Sequence, residues 1–209
     1  MVLWALVMLT VKKAIEQRRS VRKFKFNPVP DKCINTLLDA ARSAPSSCDS
    51  QPWRFKIIKD ERTKFNLAKA VHNQRFVADA PIIIICCADL KGYLQSTISG
   101  IHRLNHNGIV DDALVKTIIR RNKKREKSWD RKLYGLLVSL NVNLAIENMI
   151  LRALDFGLGS CYVGALDNQK IRDIFEWDYD IFPVAILLVG YPDESPGIRN
   201  IKKIADILI

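Results

Sequence analysis

The sequence predicts an α+β sandwich, with helices packed around a central sheet of a few buried strands. Two runs carry that prediction. Ile82-Ile83-Ile84-Ile85 continues through Cys86-Cys87-Ala88, and Phe182-Pro183-Val184-Ala185-Ile186-Leu187-Leu188-Val189-Gly190 matches it late in the chain. Unbroken apolar stretches of this length suit strands buried on both faces. Between them, residues 133–154 place apolar side chains around most of a helical circumference. Such a helix must be buried, as the hub of the fold or against a second subunit.

The elements follow in order. Residues 11–18 read as a helix with Val11, Ala14 and Ile15 on one face, and Asn27-Pro28-Val29-Pro30 breaks the chain after it. Asp31 fits the N-cap of a second helix carrying Cys33, Ile34, Leu37, Leu38 and Ala41 at helical spacing. That helix stops ahead of Pro45, because a residue before proline avoids the helical region. Residues 54–59 alternate as a strand, and Asp60-Glu61 open a third helix through Leu67 and Val71. Pro81 opens the first buried run. Residues 89–131 are less regular, with Gly92, Gly100 and Gly108 ahead of the amphipathic Leu114-Val115 and Ile118-Ile119. The segment reads as an excursion from one domain spanning 1–209, either a lid over a site or a solvated insertion. Gly157 and Gly159 stop the long helix. A short helix is expected around 169–175, and the tail carries Arg199, Lys202 and Lys203.

Composition narrows the function classes. A hydrophobic share of 48% in 209 residues supplies a sizeable core and excludes disorder as the main state. The net charge of +11 favours anionic partners. Much of the excess sits in Arg120-Arg121-Asn122-Lys123-Lys124-Arg125-Glu126-Lys127, which reads as a solvated helix face. No aromatic residues interleave it to stack on bases, so no nucleic-acid partner is expected. The five cysteines are odd in number and lack CxxC spacing, which fits a reducing cytoplasm. Residues 1–9 are apolar but too short to cross a bilayer. They read as an edge strand, a helical extension or part of a subunit interface. No other segment approaches a membrane span, and no membrane partner is expected. His102 and His106 lie four apart without a partner pair, so no metal is expected; no Ser-His-Asp order, HExxH or P-loop occurs.

Two stretches carry chemistry. Arg18-Arg19-Ser20-Val21-Arg22 packs three guanidinium forks and a hydroxyl into five residues. In extended chain Arg18, Ser20 and Arg22 share one face, about 7 Å apart, and bracket a phosphate with its three acceptor oxygens. Alone, the pentapeptide reads equally as a basic patch at a helix end. The second stretch, Pro45-Ser46-Ser47-Cys48-Asp49-Ser50-Gln51-Pro52-Trp53, is a turn of small polar donors ending on an aromatic. Taken singly it reads as Ser and Asx turns; its residue order, one helix after the first stretch, is less easily produced by chance.

Together with Asn73 ahead of Ala80-Pro81, the run Gly157-Leu158-Gly159-Ser160-Cys161-Tyr162-Val163-Gly164, and Val189-Gly190-Tyr191-Pro192, these stretches resemble the nitroreductase family along most of the chain. The resemblance implies a three-layer sandwich with a mostly antiparallel central sheet flanked by helices, in an intertwined homodimer. It implies two FMN molecules in clefts made by both subunits. Arg18, Ser20 and Arg22 would hold the phosphate, ribityl chain and pyrimidine edge, with Arg19 beside them. Pro45, Ser46, Ser47, Asp49 and Gln51 would reach the flavin from the partner subunit. Asn73 would bond the pyrimidine end. Tyr162, Val163, Gly164 and Ala165 would lay backbone against the ring, with an N–H toward the hydride-accepting nitrogen. Arg199 and Lys202 would complete the phosphate site.

Two positions depart from the family pattern. Asp49 stands where asparagine is usual, and Asn200 and Ile201 separate Arg199 from Lys202 in place of a close basic pair. The implied chemistry belongs to the cofactor, so no catalytic side chain is expected. The expected activity is transfer of hydride and electrons from NADH or NADPH to a nitroaromatic, quinone or similar small acceptor, by a ping-pong mechanism. Other readings are a flavin-binding or sensing protein, dehalogenation or flavin fragmentation on the same fold, and a basic nucleic-acid-binding module. On the resemblance, the 120–127 run also serves to steer an anionic nicotinamide nucleotide.

Overall fold

A computed structural model describes residues 9–127 and 130–209. The expectation for residues 1–9 therefore lies outside the described residues except at Leu9, whose N–H meets Asp155 Oδ1 at 3.2 Å. The sheet has four strands: β1 (Trp53–Ile58), β2 (Ile82–Asp89), β3 (Gly159–Val163) and β4 (Ile181–Gly190). Their order is β1-β2-β4-β3, and each neighbouring pair is antiparallel. The two apolar runs seen in the sequence are the central pair, with Ile84 opposite Leu187 and Ile85 opposite Ile186.

Alternation along β2 sets up three layers, because successive side chains leave opposite faces of a strand. Ile82, Ile84, Cys86 and Ala88 pack with α2 (Asp31–Arg42) and α6 (Arg131–Ala153). Ile83, Ile85 and Cys87 pack with α3 (Glu61–Ala70) and α7 (Asn168–Phe175). Both thiols are buried, and burial pushes Cys87 up to about 12 and Cys86 well above its ordinary value. They act as small apolar side chains.

Three features differ from the sequence expectation. Residues 89–131 are mostly regular, forming a helical hairpin of α4 (Leu90–His106) and α5 (Asp112–Lys127), with Asp89 capping α4 through the Gly92 N–H. Gly108, at φ 70°, makes the turn between them. Asp31 is the first residue of α2, and Pro30 takes the N-cap position. Finally, α6 with its following turn, Arg131–Phe156, is long and apolar enough to span a bilayer, with a mean hydropathy of 1.3. It packs instead on α2 and the sheet, with 56% of that window buried.

The burial of α6 is one-sided. Tyr134, Val138, Val142, Ala145 and Met149 face the core, while Leu133, Leu136, Leu137, Leu140 and Leu144 are exposed. Their spacing of three and four residues draws one apolar stripe along the helix. On α1 (Val11–Gln17), Ala14 is buried but Val11 and Ile15 are also exposed.

Candidate active site

The first chemistry-bearing segment begins where α1 ends. Arg18 is extended, and Ser20 forms a parallel bridge with Ser160 of β3. Val21 donates its N–H to Ser160 O at 2.9 Å and buries its side chain against Gly159, where a Cβ would lie 2.7 Å from it. With Val21 turned inward, Arg22 is exposed.

Arg19 donates to the carbonyls of Glu16 at 2.7 Å, Arg18 at 2.9 Å and Gly197 at 3.2 Å. Arg199 donates to Ile15 O at 3.2 Å. Both guanidiniums thus sit at the C-terminal end of α1, whose last carbonyls lack partners in the helix. Arg199 Nε is buried with no hydrogen-bond partner among the described residues. Lys202 is exposed farther along the tail.

One residue that the sequence did not single out fixes this segment. Glu194 Oε1 accepts the N–H groups of Arg22 at 2.5 Å and Lys23 at 3.1 Å. Those bonds hold its carboxyl below the usual range. No local pattern marks Glu194, because its partners lie more than 170 residues away.

The serine loop is a tight 3-10 turn, Ser47–Asp49, with Cys48, Asp49 and Gln51 at φ 52°, 51° and 45°. Left-handed non-glycine residues cost on the order of 1–3 kcal/mol each and persist only where their surroundings enforce them. Here the surroundings are explicit. Ser47 donates its N–H to Asn141 Oδ1 of α6 at 2.8 Å, and Gln51 donates its N–H to Ser46 Oγ at 3.0 Å. Asp49 accepts from Gln51 Nε2 at 2.8 Å and from Arg103 of α4 at 3.1 Å. The acceptor at position 49 is therefore occupied within the chain. Gly100 of α4 lies so close that a Cβ there would fall 1.7 Å from Cys48 O. Pro45 stands exposed at the entry to the loop.

At the other end of β3, Tyr162 is 42% exposed and donates its hydroxyl to Asn143 Oδ1 at 2.9 Å. Burial raises its phenol above the ordinary value. Val163 is buried, whereas Gly164 and Ala165 are open. A Cβ on Gly164 would lie 2.9 Å from the Tyr162 ring. Tyr162 and Gly164 line a cavity of about 880 Å³, with Asn143 of α6, Arg172 of α7 and His72 also on its wall. That volume is within the range of small-molecule and cofactor sites. Asn73, left-handed at φ 58°, opens instead onto a separate hollow beside Phe65, Lys69 and Arg75.

Within one chain the structure thus joins Arg18–Arg22 to β3, Arg199 to the end of α1, and β3 to the cavity. The serine loop is elsewhere. It binds Asn141, whereas Tyr162 binds Asn143, and two residues at about 100° each place those contacts on nearly opposite flanks of α6. No cluster of three metal-ligating side chains occurs among the described residues.

The Nitroreductase family model matches residues 15–191. The chain belongs to the nitroreductase family. Among its relatives, a Thermus thermophilus protein named NADH dehydrogenase is 26% identical over 197 residues, covering 91% of this chain and 90% of that one. A Bacillus subtilis protein named FMN reductase [NAD(P)H] is 21% identical over 193 residues, covering 91% of this chain and 68% of the other. The fold is shared with an Exiguobacterium sibiricum protein solved in complex with FMN, at a TM-score of 0.73, 22% identity and coverage of 96% and 97% of the two chains. The antiparallel sheet between helical layers is thus the family's fold.

Proposed function

We propose that this nitroreductase-family chain is an FMN-dependent oxidoreductase acting as a homodimer. It takes hydride from NADH or NADPH and delivers reducing equivalents to small conjugated acceptors such as nitroaromatics or quinones, in alternating half-reactions at one cleft. The observation that carries the reading is the orphaned Arg199 Nε. It is buried against the end of α1, where Arg19 also donates, and the segment that follows α1 docks to the strand whose other end opens the cavity. A buried cationic donor without a partner lacks its acceptor, and a phosphate supplies one. FMN, when bound, supplies the hydride and electron chemistry.

The protein's own residues bind and orient. Arg18, Ser20 and Arg22 present charge and a hydroxyl along one edge, with Arg19, Arg199 and Lys202 around the phosphate. Glu194 fixes the backbone path of Arg22. The backbone from Tyr162 to Ala165 lies against the ring, and Gly164 leaves room for close approach. Asn73, on its separate hollow beside Phe65, Lys69 and Arg75, lies outside this cavity and is left out of the cleft. Pro45, Ser46, Ser47, Asp49 and Gln51 complete the cleft from the second subunit, which accounts for a strained loop that does not reach its own chain's cavity. The exposed leucine stripe of α6 is the surface a second copy covers. The α4–α5 hairpin, packed on the serine loop, flanks the entrance and shapes acceptor choice. Five free cysteines fit a reducing cytoplasm.

Purified protein is expected to be yellow, to release FMN on heating and to oxidise NADH or NADPH with menadione as acceptor. R18A/R22A is expected to bind FMN at least about tenfold more weakly, since charge-assisted hydrogen bonds are worth about 1.5–3 kcal/mol each. A colourless protein with no affinity for added FMN overturns the reading.

A further inference from the structure

The cavity carries a second set of cations that the cofactor reading does not use. Arg131, Lys132 and Arg172 lie on its wall, against one carboxylate, Asp167. None of Arg18, Arg19, Arg22 or Arg199 lines it. Asp167 is already engaged, capping α7 through the Lys170 N–H at 3.1 Å and pairing with Lys170 Nζ at 3.2 Å.

The two arginines converge on one ring. The Arg172 guanidinium lies 4.8 Å from the Tyr179 centroid and that of Arg131 lies 5.8 Å from it. Asp180 balances Arg131 at 3.6 Å. Arg172 instead donates to the neutral Gln169 Oε1 at 2.9 Å, and its Nε is buried with no hydrogen-bond partner among the described residues. Two like charges gathered about one aromatic ring on the cavity wall, with a carboxylate for only one of them, leave excess positive charge beside the cavity. Leu166, Phe182 and Pro183 supply an apolar wall beside it.

We propose that this end of the cavity binds the anionic group of a planar ligand, an aromatic carboxylate or a phosphate, with Arg172 as its principal contact. This deepens the oxidoreductase reading and rests on it. The apolar wall takes the ligand's flat body while Arg172, with Lys132 and Arg131, takes its charge. Two sources share this chemistry: an acidic acceptor, and the phosphates of the nicotinamide nucleotide.

The test uses the FMN-loaded protein with 4-nitrobenzoate and its neutral methyl ester as acceptors, NADH varied separately, in the parent and in R172Q. The parent is expected to favour the acid by about tenfold in kcat/KM, with the preference shrinking as salt rises. R172Q is expected to raise the KM for the acid by about tenfold and leave the ester unchanged. Calorimetric titration with 4-nitrobenzoate gives a readout independent of turnover and is expected to show the same weakening. A rise in the KM for NADH alone supports the proposal and assigns the charge to the nucleotide's phosphates. Equal use of acid and ester, with R172Q altering neither KM nor binding, overturns it and leaves the oxidoreductase reading standing. A parent that reduces neither acceptor overturns that reading instead, and the titration still decides whether the anion binds.

Discussion

β2 and α6 are both dense apolar runs, yet the fold treats them differently. Every residue of β2 from Ile82 to Ala88 is covered by the chain's own β1, β4 and helices. Along α6, one flank is covered in the same way, while five leucines on the other stay about half exposed or more among the described residues. An apolar pattern states how much surface must leave water. It does not state which molecule does the covering. In the strand the covering is intramolecular; on the helix it is the proposed homodimer that would supply it.

The largest expected effect probes the covered side. Ile84→Ala, at a fully buried centre of the sheet, should lower unfolding free energy by about 2–5 kcal/mol in urea titrations. A loss well under 1 kcal/mol would mean that the sheet repacks freely, and the contrast with α6 would dissolve. The uncovered side is tested by L133E/L140E. Both side chains are more than half exposed in the single chain, so the fold should survive, with helical circular dichroism kept. The dimer should dissociate on light-scattering chromatography, and bound flavin should fall at least about tenfold because the serine loop of the second copy is lost. A dimer that persists would place the subunit contact on another surface.

The smallest effect concerns a surface tether outside both regions. Glu194 has a carboxyl held below its ordinary value, chiefly by the Arg22 N–H it accepts. Its contribution to stability is present above that value and fades as pH falls through the lowered native one. E194Q should therefore be slightly less stable than the parent at neutral pH, and the two melting curves should converge in acid. Because the carboxylate is solvent-accessible, the difference should be modest. A gap that stays constant down to strongly acidic pH would show that charge plays no part in holding Arg22.

What the sequence made legible follows the range over which each signal acts. β2, β4, α2, α3 and α7 announced themselves through local periodicity or unbroken apolar runs. β3 did not register as a strand, since Gly159-Ser160-Cys161-Tyr162-Val163 is short and begins with residues of low strand preference. It appeared only as part of a motif. The α4–α5 hairpin was obscured by its glycines, of which Gly100 is needed for contact with the serine loop rather than for breaking a helix.

At the site, Arg18–Arg22 and the serine loop were visible because their residues are contiguous. Tyr179, Arg172 and Arg131 were not, because three distant segments bring them together around one ring. Glu194 was missed for the same reason. Asn73 was expected at the cofactor, but a left-handed turn sets it on its own hollow, and that turn has no sequence signature beyond asparagine's tolerance of the conformation.

The approach of Gly100 to the Cys48 carbonyl makes the helical hairpin and the serine loop a single heritable unit. Any side chain at position 100 evicts the turn from its seat, so grafting the hairpin of another nitroreductase onto this scaffold succeeds only if residues 46–51 travel with it. Changes in the α4–α5 hairpin and in the serine loop are thereby coupled through one missing methyl group.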